Sequence, residues 1–149
     1  MKIMLKTVLV AVCLFVCAAA SAQSADRILG VYKAVEEGKE SKVEFTRRPD
    51  GTYQGQIVWL KTPNNPDGTP KKDEKNPDAS KRSVRADQVV VVYGVSYDAA
   101  KDVWSGGRVY DPTKGKTYKV EVSFKDPNTL RVKGSLLGIS RSVYWTKAE

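Results

Sequence analysis

Few residue types in this chain can do chemistry. Histidine is absent from all 149 residues, which removes Ser-His-Asp and Cys-His nucleophile systems, HExxH metalloproteases and any His-ligated zinc or haem. The only cysteines, Cys13 and Cys17, lie in an apolar N-terminal run, so no thiolate is available beyond it. Carboxylates, lysines, tyrosines and hydroxyls are left. Asp111 is the carboxylate of most interest, because it ends an apolar stretch beside Lys114 and Lys116. With Lys116 or Arg108 it could move protons, provided the groups converge and are desolvated. The plainer role of Asp111-Pro112 is to build a turn, its carboxylate accepting from a backbone N–H two residues on.

Oxygen ligands gather at Asn64, Asn65 and Asp67, and again at Asp73, Glu74, Asn76 and Asp78. Neither group follows the D-x-[DN]-x-[DN]-G order of a calcium loop. The lysines and arginines between Lys71 and Arg85 also oppose a divalent cation, so no metal and no other cofactor is expected. A third constellation is aromatic. Trp59, Trp104 and Trp145 with Tyr53, Tyr93, Tyr110, Tyr118 and Tyr144 fall in strand-like segments at positions that could line an interior, and Trp104, Arg108 and Tyr110 read as one face of one strand. Inside a small barrel such residues either fill the core or line a pocket for one small ligand. A guanidinium among aromatic rings favours the mouth of a pocket, since buried it would need a partner. The candidate binding set is therefore Trp59, Trp104, Arg108, Tyr110, Asp111, Lys116 and Tyr118.

The elements that must hold these residues are strands. Tyr118, Val120, Val122 and Phe124 alternate with Thr117, Lys119, Glu121 and Ser123, the period of a half-buried strand. Similar runs recur at 31–35, 43–46, 53–60, 89–97, 103–110, 130–134 and 143–146. Turn residues separate them at Glu36-Glu37-Gly38-Lys39, Pro49-Asp50-Gly51 and Asp126-Pro127-Asn128. Tyr53, Gly55, Ile57 and Trp59 read as one face of the 53–60 strand. Ser24 can cap a short helical turn over Asp26 to Leu29. Seven or eight short strands without an amphipathic helix specify an all-β fold. Glycines inside several strands favour a small antiparallel up-and-down barrel over a sandwich. Residues 62–87, with four prolines and dense charge, form a long loop of the kind that is functional or disordered.

Residues 1–22 read as a secretory signal peptide. Lys2 and Lys6 precede a short apolar run, and Ala20-Ser21-Ala22 offers a cleavage site before Gln23. Cleavage leaves a single domain over 23–149 with no segment apolar enough to cross a bilayer as a helix, and places it in the periplasm or outside the cell. The net charge of +8 comes from interleaved acids and bases, so no nucleic-acid partner is expected. It permits only a weak, salt-sensitive attraction to anionic lipids or polymers.

Several blocks carry a family resemblance. They are Gln56-Ile57-Val58-Trp59-Leu60-Lys61, Asn76-Pro77-Asp78, Trp104-Ser105-Gly106-Gly107-Arg108-Val109-Tyr110-Asp111-Pro112, Gly115-Lys116-Thr117-Tyr118, Leu130-Arg131-Val132-Lys133-Gly134 and Tyr144-Trp145-Thr146. Together they resemble the bacterial exported family called domain of unknown function 2147. The resemblance implies a lipocalin-like, calycin-type barrel and no established activity. This chain departs from the family at Ser140-Arg141-Ser142, where many members have Gly-Arg-Thr, and lacks the cysteine pair some carry near Gln54 and Tyr93. Three functions stay open: a non-enzymatic module for a small apolar or amphipathic ligand with 62–87 as a lid, an envelope interaction protein with a filled core and that loop as contact surface, or an enzyme built on Asp111.

Overall fold

The computed structural model describes residues 24–148; the signal segment expected at 1–22 lies outside them. The alternating segments form eight antiparallel strands: β1 (Gly30–Glu36), β2 (Lys39–Arg47), β3 (Tyr53–Leu60), β4 (Val90–Asp98), β5 (Val103–Asp111), β6 (Lys116–Asp126), β7 (Thr129–Leu136) and β8 (Ile139–Lys147). Each strand pairs with the next, and β8 returns to β1 through Tyr32↔Lys147 and Lys33↔Thr146. The result is a closed up-and-down barrel, fastened between β1 and β8 by those two pairs. Two-residue turns join β1 to β2 at Glu37-Gly38 and β7 to β8 at Leu137-Gly138. Positive φ at both positions of each turn matches the right-handed twist of the strands.

The turn order gives the barrel two different ends. The β2–β3, β4–β5 and β6–β7 turns gather at one end, which the N-terminus closes. There a 3-10 turn, Asp26–Ile28, buries Ile28 completely. The Tyr32 hydroxyl donates to the Ile28 carbonyl at 3.0 Å, and the Trp104 indole N–H donates to the Ala25 carbonyl at 3.1 Å. Arg27 lies 4.9 Å from the centre of the Phe124 ring and pairs with Asp102 at 3.0 Å. Tyr32, Phe45, Trp104, Val122 and Leu130 are fully buried around it. No side chain caps this turn, so the cap expected from Ser24 is replaced by packing and tertiary hydrogen bonds.

Two bulges decide which way side chains point. On β3, Lys42 pairs with Trp59 but Val43 pairs with Ile57, leaving Val58 as an extra residue. On β5, Ser105 pairs with Glu121 and Arg108 with Lys119, so Gly106-Gly107 spans the place of one residue. A β carbon on Gly107 would lie 2.1 Å from the Tyr93 carbonyl oxygen, so only glycine lets β4 and β5 approach this closely. Because side chains alternate with period two, each inserted residue exchanges the two faces beyond it.

The long connection between β3 and β4 is ordered. Lys71 N–H bonds the Pro63 carbonyl, Asp73 N–H the Val84 carbonyl, and Ala86 N–H the Lys71 carbonyl. Short 3-10 turns at Ala79–Lys81 and Ala86–Gln88 complete it. Its acids build turns: Asp67 accepts from Thr69 and Asp78 from Ser80.

Candidate functional site

The end opposite the N-terminal plug is open. The β1–β2, β5–β6 and β7–β8 turns and the β3–β4 connection surround a cavity of about 910 Å³, within the range of small-molecule sites. Its wall is mostly aliphatic: Ala34, Val43, Ile57, Val91, Val109, Val132 and Val143. Trp145 is the buried aromatic of this wall, its ring N–H donating to a Glu36 carboxylate oxygen at 3.3 Å. The Gly134 position leaves room within it, because an added β carbon would stand 3.4 Å from Tyr118 Cβ and 3.5 Å from Val109 Cγ1, ordinary contact distances. Charge appears only toward the rim, where Lys116, Arg141, Asp111, Lys72 and Glu74 line the entrance.

The structure brings together four of the seven candidate residues. Tyr118 forms part of the wall, and Tyr110, Asp111 and Lys116 lie at the β5–β6 side of the mouth. Three others are elsewhere. Trp104 is buried at the plugged end under Ala25 and Arg27. Trp59, expected on the face of Tyr53 and Ile57, is turned to the other face by the Val58 bulge; it is 39% exposed with the Lys42 ammonium 5.4 Å from its ring centre. Arg108 is separated from Trp104's face by the Gly106-Gly107 bulge and lies in a shallow outer groove with Lys119, Glu121 and Ser135. Its guanidinium donates to the Gly107 carbonyl.

Arg108 therefore does not share a cleft with Asp111 and Lys116, which pair across the β5–β6 turn at the cavity mouth. The Asp111 carboxylate accepts from the Thr113 backbone N–H at 2.9 Å and its hydroxyl at 2.6 Å, the turn-building arrangement. Among the described residues no group of three His, Cys, Asp or Glu side chains could hold a metal ion.

Sequence reasoning left Trp145, Arg141, Val132 and Val143 out of the set. The signal was present in β8, where Ile139, Arg141, Val143 and Trp145 repeat at period two and all four line the cavity.

The β3–β4 connection frames one side of the mouth and is fixed to it. Tyr110 donates its hydroxyl to Asp73 at 2.7 Å, and Asp73 is only 3% exposed. Asn76 donates to the second Asp73 oxygen at 2.9 Å, and the Lys75 ammonium donates to the Thr113 carbonyl at 2.8 Å. Gly115 makes room for this contact, since a β carbon there would lie 2.2 Å from the Lys75 carbonyl oxygen. Burial first, then the hydrogen bond to Asp73, raises the Tyr110 phenol above its ordinary pKa.

Comparison with known proteins agrees with this geometry. The sequence profile of DUF2147, described as an uncharacterized protein conserved in bacteria, matches residues 30–147. Among solved structures, protein HP1028 from the human pathogen Helicobacter pylori, described as belonging to the lipocalin family, is similar at 27% identity with a TM-score of 0.65. The match covers 82% of this chain and 83% of that one. No curated protein matches.

Proposed function

Because the chain belongs to the DUF2147 family, whose name carries no activity, we propose from the cavity that it binds one small apolar or amphipathic molecule without transforming it. The observation that carries this reading is the space of about 910 Å³ in the open end of the barrel and its mouth, aliphatic in depth, charged at its rim and plugged at its far end. An apolar tail gains from leaving water in such a site, at roughly 25 cal/mol per Å² buried. A polar head would stay among Lys116, Arg141 and Asp111. The structural neighbour's placement in the lipocalin family supports the same reading. The alternative of a filled-core interaction protein leaves this space unexplained. The leader-like residues 1–22 support a site of action outside the cytoplasm.

Trp145 supplies the test, because it alone of the three tryptophans lines the cavity. Titration with hydrophobic dyes and fatty acids should shift tryptophan emission. Trp145→Phe should remove that response, while Trp59→Phe should preserve it. No emission change across the panel, or a response that survives Trp145→Phe, would overturn the reading.

A further inference from the structure

The rim of the cavity carries an apolar feature that reaches beyond the binding site: Leu136 and Ile139 line the cavity edge, and Leu137 stands outside it. At the β7–β8 turn, Leu136 is 47% exposed, Leu137 93% and Ile139 76%, forming one contiguous aliphatic tip. Isolated exposed aliphatics are ordinary, but a cluster marks a contact surface. The backbone makes the choice of Leu137 more informative. Its φ is +52°, a left-handed conformation that favours asparagine, aspartate or glycine at this turn position. An aliphatic side chain stands where local structure favours a polar one.

The charge of the same hairpin identifies what the tip meets. Residues 129–148 contain Arg131, Lys133, Arg141 and Lys147 and no aspartate or glutamate, and around the rest of the mouth Lys39, Lys61, Lys71, Lys72, Lys114 and Lys116 outnumber Glu36, Glu37, Glu40, Glu74 and Asp111. Arg141 follows Ile139 by two residues and Lys133 precedes Leu136 by three. At about 3.3 Å per strand residue, both cations lie within roughly 10 Å of the tip. That is the depth over which interfacial apolar residues enter a bilayer while basic neighbours stay among the headgroups. We propose that the β7–β8 hairpin docks the open end of the barrel on an anionic lipid surface. The docking deepens the binding reading above and rests on it only for its purpose, the passage of an amphiphile between bilayer and cavity.

The experiment compares wild type with Leu137→Asn, both expressed as the full chain so that the N-terminal segment contributes equally. Co-sedimentation is measured with vesicles of phosphatidylcholine alone and with added phosphatidylglycerol. Wild type should bind the anionic vesicles, and less so in high salt. Leu137→Asn should lower the partition coefficient roughly tenfold, as expected for losing one buried aliphatic. Its melting temperature should be unchanged or higher, because asparagine suits the turn. Failure of wild type to bind anionic vesicles, or equal binding by Leu137→Asn, overturns the proposal. So does sedimentation velocity showing that Leu137→Asn dissolves a self-associated species of a wild type that ignores vesicles, since the tip would then join two copies. Dye uptake measured without vesicles separates the two readings: dye without vesicle binding removes the docking alone, and vesicle binding at the tip without dye uptake supports docking and removes the cavity.

Discussion

The Tyr110 hydroxyl holds the charged β3–β4 connection on the barrel. It supplies Asp73, a carboxylate almost wholly removed from water, with one of its two side-chain hydrogen bonds, the other coming from Asn76. Tyr110→Phe should cost about 1–3 kcal/mol, the penalty for leaving a buried acceptor short of a donor, read as a lower urea midpoint at constant slope. Other phenols make the fold sensitive to base. Burial pushes Tyr32 up to about 12, partly opposed by Arg27; burial and the hydrogen bond to Asp26 push Tyr53 up to about 12. These folded values exceed the unfolded value of about 10. Their stabilisation is therefore complete below pH 10 and is lost as pH rises through 12. Stability followed by circular dichroism should fall across that window, and Tyr32→Phe should flatten the fall.

At the scale of the element, the bulges govern what each strand presents. Gly107→Ala should destabilise by at least about 3 kcal/mol, because the new carbon meets a backbone oxygen that cannot move aside. Gly134→Val is the opposite case. Its β carbon would make ordinary contacts with Tyr118 and Val109 on the cavity wall, so the protein should fold with a near-native melting temperature while dye affinity drops. These sites also explain how far the sequence could be read. Alternation located the strands, and in β6 it placed Val120 and Val122 inside, where they are buried. It also gathered Tyr110, Asp111, Lys116 and Tyr118 around one turn. It failed at Trp59, where the Val58 bulge leaves little trace in composition, and at Arg108, where Gly106-Gly107 signals a bulge or bend in the sequence but not that it reverses the faces. Trp104 was misplaced for a different reason. Its position depends on a hydrogen bond to Ala25, 79 residues away in the chain, which no local pattern encodes.

For the whole molecule, the contrast between a plugged end and an open one sets the order in which it comes apart. Asp102 is held below its ordinary pKa by the Tyr97 hydrogen bond and then by Arg27. A depressed carboxylate stabilises above its unfolded pKa of about 4, and that contribution disappears as pH falls through the lower folded value. Acid should therefore loosen the plug without releasing it, since Ile28 and Trp104 stay buried, and raise quencher access to Trp104 slightly while Trp145 still reports a formed mouth. Asp102→Asn should weaken the plug at neutral pH and remove this acid step, measured as quencher access to Trp104 in a Trp59→Phe, Trp145→Phe background.

The barrel is also unequal around its circumference. Six of its strand-to-strand junctions run along much of their length, β3 and β4 are in register at three pairs, and β1 and β8 at only Tyr32↔Lys147 and Lys33↔Thr146. Both pairs lie toward the plugged end. From Ala34 to Glu36, where β1 reaches the mouth, no backbone register joins the two strands; the side-chain bond from Trp145 to Glu36 crosses there instead. With the seam fastened at one end only, its free part should open more readily than the strand pairs that are in register along their length. Deuterium uptake should be fastest among the backbone amides of Val143 to Trp145 and slow again by Lys147, and a bound amphiphile should slow it by pressing the two strands' side chains together.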